Sequence, residues 1–99
     1  MKTQIQSIHF DADVKLLHYV RQKCNKLDHY FDNIVDAQVF LRIDQGSGIE
    51  NKYVEIKVNV PHEQIIAQHL GQKFEEGVDI VTDSLRRRLI KYKEKLRSV

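Results

Sequence analysis

The chain has 99 residues, 41% hydrophobic and 30% charged, with a single cysteine and a formal net charge of +2. This length and balance are typical of one globular core and exclude a disordered chain, so we predict a single domain over residues 1–99. A lone Cys24 excludes an internal disulfide, and no apolar run approaches the ~20 residues of a membrane span or forms a secretion signal, so we expect a cytoplasmic protein with no membrane partner.

The first third of the chain predicts a strand followed by a helix. Residues 3–10 indicate the strand, and Asp13, in the segment Asp-Ala-Asp, is placed to begin the helix as its N-cap. Beyond it the apolar positions recur every three or four residues, which indicates one buried helical face. These positions are Leu17, Val20, Cys24, Leu27 and Phe31.

The middle of the chain predicts three consecutive strands. Two runs alternate apolar and polar residues, the pattern of half-buried strands. Their apolar positions are Val35, Ala37, Val39, Leu41 and Ile43 in the first run, and Val54, Ile56, Val58 and Val60 in the second. Residues 44–48 look like a hairpin loop, and Pro61 leads into a short third strand around residues 65–70. Strands this close in sequence are expected to pair antiparallel.

The clearest periodicity predicts a long final helix. Its apolar positions are Phe74, Val78, Val81, Leu85, Leu89, Tyr92 and Leu96. The element order is therefore β-α-β-β-β-α. This order predicts an α+β two-layer sandwich, with both helices on one face of a four-stranded, largely antiparallel sheet and the other face open to water.

Charge is segregated along the chain. Residues 1–85 carry 9 Lys/Arg against 13 Asp/Glu, whereas residues 86–99 carry 7 against 1, with Glu94 as the one acidic partner on the last turns. On a helical projection, basic residues occupy both flanks of the final apolar stripe. One flank holds Ser84, Arg87, Arg88, Lys91 and Lys95, and the other holds Arg86, Lys93 and Arg97. Such a surface favours a polyanionic partner.

The first helix carries a second basic flank, in which lysines alternate with tyrosines. Its members are Lys15, Tyr19, Lys23, Lys26 and Tyr30. Cations that release counterions from phosphates, beside rings that stack on bases, suit an RNA surface. The structural alternative is that the cations complement the helix dipole and cover the core edge, and each tyrosine by itself is more typical of a core edge.

Catalytic, metal and cofactor sites are not indicated. The histidines (His9, His18, His29, His62 and His69) lack ligand spacing, and Cys24 lies on the apolar stripe as a small buried hydrophobe would. Gly46 and Gly48 lie in a hairpin rather than between a strand and a helix, so they build no phosphate loop. Asp79 and Asp83 are expected to be solvated, to cap, or to pair with cations. We therefore predict no enzyme, no metal, no cofactor and no small-molecule substrate.

Three stretches of the sequence resemble a known family. They are LHYVRQKCNKLDHYF at 17–31, GVDIVTDSL at 77–85 and KYKEK at 91–95. In this order they are similar to the first helix, the small-Ile-Asp segment and the basic ending of the ribosome hibernation-promoting factors and ribosome-associated inhibitors, also called sigma-54 modulation proteins. Because the sequence stops soon after the final helix, it resembles the short form of that family.

The resemblance implies a fold like a double-stranded-RNA-binding domain with an added first strand. It also implies binding to rRNA of the small ribosomal subunit, in the channel for messenger and transfer RNA, which inhibits translation by idle ribosomes. Matched by position, the rRNA-contacting residues are Lys23, Lys26, Arg87, Lys91 and Lys95. Ser84 and Ile90 stand where many relatives carry a basic residue, while Arg86 and Arg88 add charge.

These observations lead to one interface prediction and one alternative. The predicted rRNA-binding residues are Lys23, Lys26, Arg87, Arg88, Lys91 and Lys95, with Lys15, Tyr19, Tyr30, Arg86 and Lys93 as further candidates. We expect a monomer away from the ribosome. The alternative is a protein-interaction module that modulates a transcription factor through the open sheet face, which would carry Phe40, Arg42, Tyr53 and Lys57.

Overall fold

A computed structural model describes residues 1–44 and 48–97 and contains four strands and two α-helices. The elements are β1 (Lys2–Ile8), α1 (Val14–Asn25), a 3₁₀ turn (Lys26–His29), β2 (Asp36–Ile43), β3 (Lys52–Val60), β4 (Glu63–Gly71) and α2 (Phe74–Arg97). The strands form one sheet in the order β1-β2-β3-β4. The predicted α+β class and the β-α-β-β-β-α order are confirmed.

The sheet is mixed rather than fully antiparallel. β2, β3 and β4 pair antiparallel, as predicted, whereas β1 runs parallel to β2, with Lys2 opposite Asp36. The chain must return through α1 before it enters β2, and a parallel pair needs such a crossover. β1 is also shorter than the predicted 3–10, because His9 leaves the strand with a φ of 68°. Phe10 then stacks on Phe74, with ring centroids 4.9 Å apart.

Helix α1 begins where the sequence predicted but ends early. The Asp13 carboxylate accepts a hydrogen bond of 2.8 Å from the Leu16 amide, which makes Asp13 the N-cap. The buried leucine is Leu16, with Leu17 only half-buried, so the predicted stripe was one residue out of phase at its start. The α-helix ends at Asn25, and the 3₁₀ turn carries Leu27 into the core.

The strand predictions were correct in phase and wrong at two ends. Val35, predicted to be buried, is 60% exposed, because β2 starts only at Asp36. β4 is a nine-residue strand rather than a short one, and it pairs with β3 from a two-residue turn in which His62 has a φ of 72°. The predicted hairpin loop at 44–48 lies partly outside the described residues.

Helix α2 packs its predicted stripe on β3 and β4, with Phe74, Val78, Val81, Leu85 and Leu89 buried. Tyr92 is half-buried, and Leu96 is 53% exposed, contrary to prediction. A 24-residue helix is about 36 Å long and a nine-residue strand about 30 Å, so the last turn of α2 extends beyond the sheet. Gly77 allows close approach, since a Cβ there would lie 2.9 Å from Cγ2 of Val54.

Candidate nucleic-acid interface

Helix α1 lies beside α2, and the two helices form a groove on the face that points away from the sheet. We call it the helix groove. It is lined by Lys23, Lys26, Leu27, Tyr30, Asp79, Thr82, Asp83 and Arg86. The buried stripes of the two helices point into the core, so these lining residues belong to the facing flanks. The predicted lysine-tyrosine flank of α1 therefore meets α2 on its Arg86 side.

A carboxylate of α2 ties the two helices together across this groove. The Tyr19 hydroxyl donates to Oδ1 of Asp79 at 2.5 Å, and Nζ of Lys23 lies 3.0 Å from the same oxygen. The hydrogen bond to Asp79, together with burial, raises the pKa of Tyr19 to about 12. Burial opposes ionisation of Asp79, but hydrogen bonds from Tyr19 and Lys23 outweigh it and lower the pKa of that carboxyl.

A second carboxylate, one turn along α2, pairs with two arginines. Nη2 of Arg86 lies 3.0 Å from Oδ1 of Asp83, and Nη1 of Arg87 donates to Oδ2. The hydrogen bond from Arg86 is the main cause of the lowered pKa of Asp83, and the Arg87 charge adds to it. Glu94 is the one acidic residue on the last turns, but Asp83 precedes Arg86 and Arg87 by three and four residues, the spacing of neighbours on a helix, and neutralises part of their charge. Asp79 and Asp83 are both ion-pair partners, one of the roles predicted for them.

The opposite flank of α2 forms a second depression, against the edge strand of the sheet. We call it the β4 cleft. It is lined by Glu63, Gln64, Ile65, Ile66, Arg88, Lys91, Tyr92 and Lys95, and at about 310 Å³ it is roomier than the helix groove at about 170 Å³. Arg88 donates to the backbone oxygen of Ile66, and the Tyr92 hydroxyl donates to that of Pro61 at 2.7 Å. The charged group of Arg88 therefore engages a neutral acceptor.

The structure thus distributes the predicted residues over two depressions separated by the crest of α2. Lys23, Lys26 and Arg86 belong to the helix groove, and Arg88, Lys91 and Lys95 belong to the β4 cleft. Arg87 pairs with Asp83 of the helix groove, and its side chain, 61% exposed, also lines a further depression beside β4 together with Arg88. Lys15 is exposed on the first turn of α1, and Lys93 is half-buried on α2. All of these cations lie on the helical side of the molecule.

The candidate tyrosines Tyr19 and Tyr30 pack at the edge of the core, and cations cover their rings. Both are partly buried against the core cluster. Nζ of Lys23 lies 5.8 Å from the Tyr19 ring centroid, and the Arg86 guanidinium carbon lies 5.9 Å from that of Tyr30. In this arrangement each ring lies beside a cation of the helix groove.

Other chemistry-bearing residues are structural or scattered. Cys24 is fully buried, and this burial raises the pKa of its thiol to about 12, which disfavours the reactive thiolate. Within residues 1–44 and 48–97, no group of three or more His, Cys, Asp or Glu side chains could hold a metal ion. Over the same described ranges, no helix is long and apolar enough to cross a membrane.

Comparison with known proteins shows the family to which this chain belongs. A protein-family profile described as "Sigma 54 modulation protein / S30EA ribosomal protein" matches residues 3–97. The chain belongs to this family. Among other members of the S30EA family, the ribosome hibernation promoting factor of Azotobacter vinelandii is 28% identical over 95 residues, covering 96% of this chain and 85% of its own length. That of Pseudomonas putida is 27% identical over 99 residues, covering 100% of this chain and 93% of its own.

Two solved structures share the fold of this chain. A ribosomal subunit interface protein from Coxiella burnetii superposes with a TM-score of 0.84 at 23% identity, covering 95% of this chain and 99% of that one. The N-terminal domain of Thermus thermophilus Protein Y gives a TM-score of 0.77 at 21% identity, covering 93% and 99% of the two chains. At these identities the likeness establishes the fold alone.

Sequence reasoning gave ion pairing as one role of Asp79 and Asp83 but did not identify their partners. The Asp83 pairs could have been found, since Arg86 and Arg87 follow it by three and four residues. The Asp79 contacts could not, because Tyr19 and Asp79 are 60 residues apart and meet only when α1 packs on α2.

Proposed function

We propose that this chain is a ribosome hibernation factor that binds rRNA of the small ribosomal subunit. It occupies the channel used by messenger and transfer RNA and thereby inhibits translation by idle ribosomes. No bond is made or broken in this mechanism. The chain acts by occupancy, through electrostatic docking of its helical side on rRNA phosphates.

The observation that carries this proposal is the concentration of cations along α2, in two depressions on the same side of the molecule. Six predicted residues, Lys23, Lys26, Arg87, Arg88, Lys91 and Lys95, lie in the helix groove, on the crest or in the β4 cleft. Cations on both sides of α2 suit contacts to several phosphates at once. The names of the relatives, ribosome hibernation promoting factor and ribosomal subunit interface protein, support the ribosome as the partner.

The test is co-sedimentation with purified small subunits across a salt series. We expect binding to weaken steeply with salt, because each phosphate contact releases a counterion. Reversing Lys23, Lys26, Arg87 and Lys91 to Glu should abolish binding. A matched control reverses four cations elsewhere, Lys2, Arg42, Lys57 and Lys73, for the same change in net charge.

The control should retain most of the binding if the helical side is the interface. Circular dichroism is used to check that both variants fold. Undiminished binding by the first variant would reject the proposed mechanism. Loss of binding in the control alone would move the interface to the sheet.

A second candidate function uses the open sheet face, the side of the sheet away from the helices. There the Arg42 guanidinium carbon lies 4.2 Å from the Tyr53 ring centroid, and Nζ of Lys57 lies 5.3 Å from that of Phe40. Aromatic rings paired with cations are common at protein interfaces. Recovery of a stoichiometric protein partner from nuclease-treated lysate, lost on Phe40→Ala with Tyr53→Ala, would favour this function over ribosome binding.

A further inference from the structure

Two carboxylates stand inside the cationic surface of α2. Asp79 and Asp83 are one turn apart, and their side chains are 48% and 49% exposed. Between them they engage Lys23 at 3.0 Å, Arg86 at 3.0 Å, and Arg87. Three of the cations that the helical side offers to a polyanion therefore already hold an anion that belongs to the protein.

Stability gives no strong reason for these ion pairs. Exposed ion pairs contribute little to folding, because solvent screens them and their long side chains lose freedom. Helix α2 is instead held by its buried stripe, in which Val78, Leu85 and Leu89 are fully buried. In a surface meant for phosphates, the same carboxylates repel the ligand. Asp79 also accepts a hydrogen bond from Tyr19, but the ion pairs with Lys23, Arg86 and Arg87 act chiefly on binding.

We propose that Asp79 and Asp83 are selectivity-determining residues, which act as internal anions against which any RNA must compete. This inference rests on the proposed function. Much of the free energy of non-specific RNA binding comes from counterions that leave the RNA when protein cations neutralise its phosphates. At Lys23, Arg86 and Arg87, a phosphate exchanges with a carboxylate that stays nearby and repels it. An RNA that makes isolated, irregular contacts therefore gains little at these positions.

A folded RNA surface of matching shape escapes this limit. It presents several phosphates at once to the β4 cleft, where Arg88 donates to a neutral backbone oxygen instead of an anion. Multiple fixed contacts in the cleft then offset the exchange at the carboxylates. Asp79 and Asp83 thus suppress binding to generic RNA more than binding to the cognate site.

The experiment compares Asp79→Asn/Asp83→Asn with a matched control, Glu75→Gln/Glu76→Gln. The control makes the same change in net charge on the first turn of the same helix. Asparagine keeps the size of the side chain and an oxygen that accepts from Tyr19. Two probes are used, purified small subunits and poly(U), each titrated over a salt series with the full chain.

We expect the Asn variant to bind poly(U) on the order of tenfold more tightly than the wild-type chain. The slope of log K against log salt concentration, here called the salt slope, should be steeper by about 1.4, since each additional phosphate neutralised on a single strand contributes roughly 0.7. Binding to small subunits should tighten by less. The Gln control should raise the affinity for both probes slightly and by the same factor. The single Asp83→Asn variant leaves the Tyr19–Asp79 bond in place and should show about half of the change in slope.

The inference is overturned if the Asn variant gains the same affinity for both probes, or if it behaves like the Gln control. Either result leaves the proposed function intact. Failure of the wild-type chain to bind small subunits overturns both. The two failures are distinguishable because the wild-type titration is read first and does not depend on either aspartate variant.

Discussion

The helix groove and the β4 cleft lie on opposite sides of the same helix and present cations in different states. In the helix groove, Lys23 and Arg86 are paired with Asp79 and Asp83. In the β4 cleft, Arg88 is held by a backbone oxygen of the sheet edge. Of the described residues that line the β4 cleft, only Glu63 is acidic.

This difference teaches that a basic surface cannot be judged by counting its cations. A phosphate that displaces a carboxylate from a cation stays beside that carboxylate, so it is only partly neutralised and releases fewer of the counterions condensed on the RNA. A phosphate that binds a cation held by a neutral oxygen is neutralised more fully. The β4 cleft should therefore contribute more to salt-dependent affinity than the helix groove does. The groove, in turn, should contribute more to selectivity.

The largest expected effect comes from weakening α2, the wall that the two depressions share. Leu85→Ala removes a fully buried side chain and should lower the free energy of unfolding by about 2–5 kcal/mol. The matched control is Leu96→Ala, at the 53% exposed position, where the change should stay within about 0.5 kcal/mol. Denaturant unfolding followed by circular dichroism measures both. Similar losses at the two positions would mean that Leu96 packs as the periodicity first indicated.

A smaller effect should separate the two depressions directly. Arg88→Gln/Lys91→Gln removes two cations from the β4 cleft and should reduce the salt slope of small-subunit binding by about two. Lys23→Gln/Lys26→Gln removes the same charge from the helix groove and should reduce it by about one, because Lys23 is already paired with Asp79. Equal reductions would show that the internal carboxylate does not distinguish the groove from the cleft.

The smallest effect concerns the Tyr19–Asp79 hydrogen bond that closes the helix groove. The pKa of Tyr19 in the folded chain is about 12, above the ordinary value of 10.0. A raised pKa means that the neutral hydroxyl stabilises the fold below pH 10 and that this contribution is lost as the pH rises towards 12. Tyr19→Phe should lower the free energy of unfolding by at most about 1 kcal/mol at pH 7, and by less at high pH.

Denaturant unfolding of the wild-type chain and of Tyr19→Phe, from pH 7 to pH 11, should show the difference between their free energies of unfolding becoming smaller as the pH rises. Ultraviolet titration of the phenol groups should also show that an ionisation near pH 12 is absent from Tyr19→Phe. The same difference in stability at every pH would exclude the hydrogen bond as its cause.

Local periodicity was sufficient to predict most of the fold. The spacing from Phe74 to Leu89 gave α2, and alternation from Ala37 to Leu41 gave β2, because both patterns depend on neighbours along the chain. The phase at the start of α1 was not fixed, since Leu16 and Leu17 are both apolar and either can begin the stripe. The prediction that Val35 is buried was wrong for a similar reason, because alternation alone does not show where pairing with β3 begins.

The basic flanks of the two helices were predictable from the sequence, whereas the contacts that these flanks make with other elements were not. The basic flanks of α1 and α2 follow from helical geometry, and the structure places them on one side of the molecule. The contacts between Tyr19 and Asp79, and between Arg88 and Ile66, join residues far apart in sequence. They depend on how α1 and β4 pack against α2, and a single sequence contains no local signal for that packing.

The most direct test of the central claim is the reactivity of individual lysines with an acetylating reagent, with and without small subunits, read by mass spectrometry. The account predicts that Lys23, Lys26, Lys91 and Lys95 are protected by the subunit, while Lys57, on the open sheet face, reacts as in the free chain. Protection of Lys57, with Lys23 and Lys91 still reactive, would contradict it and place the interface on the sheet.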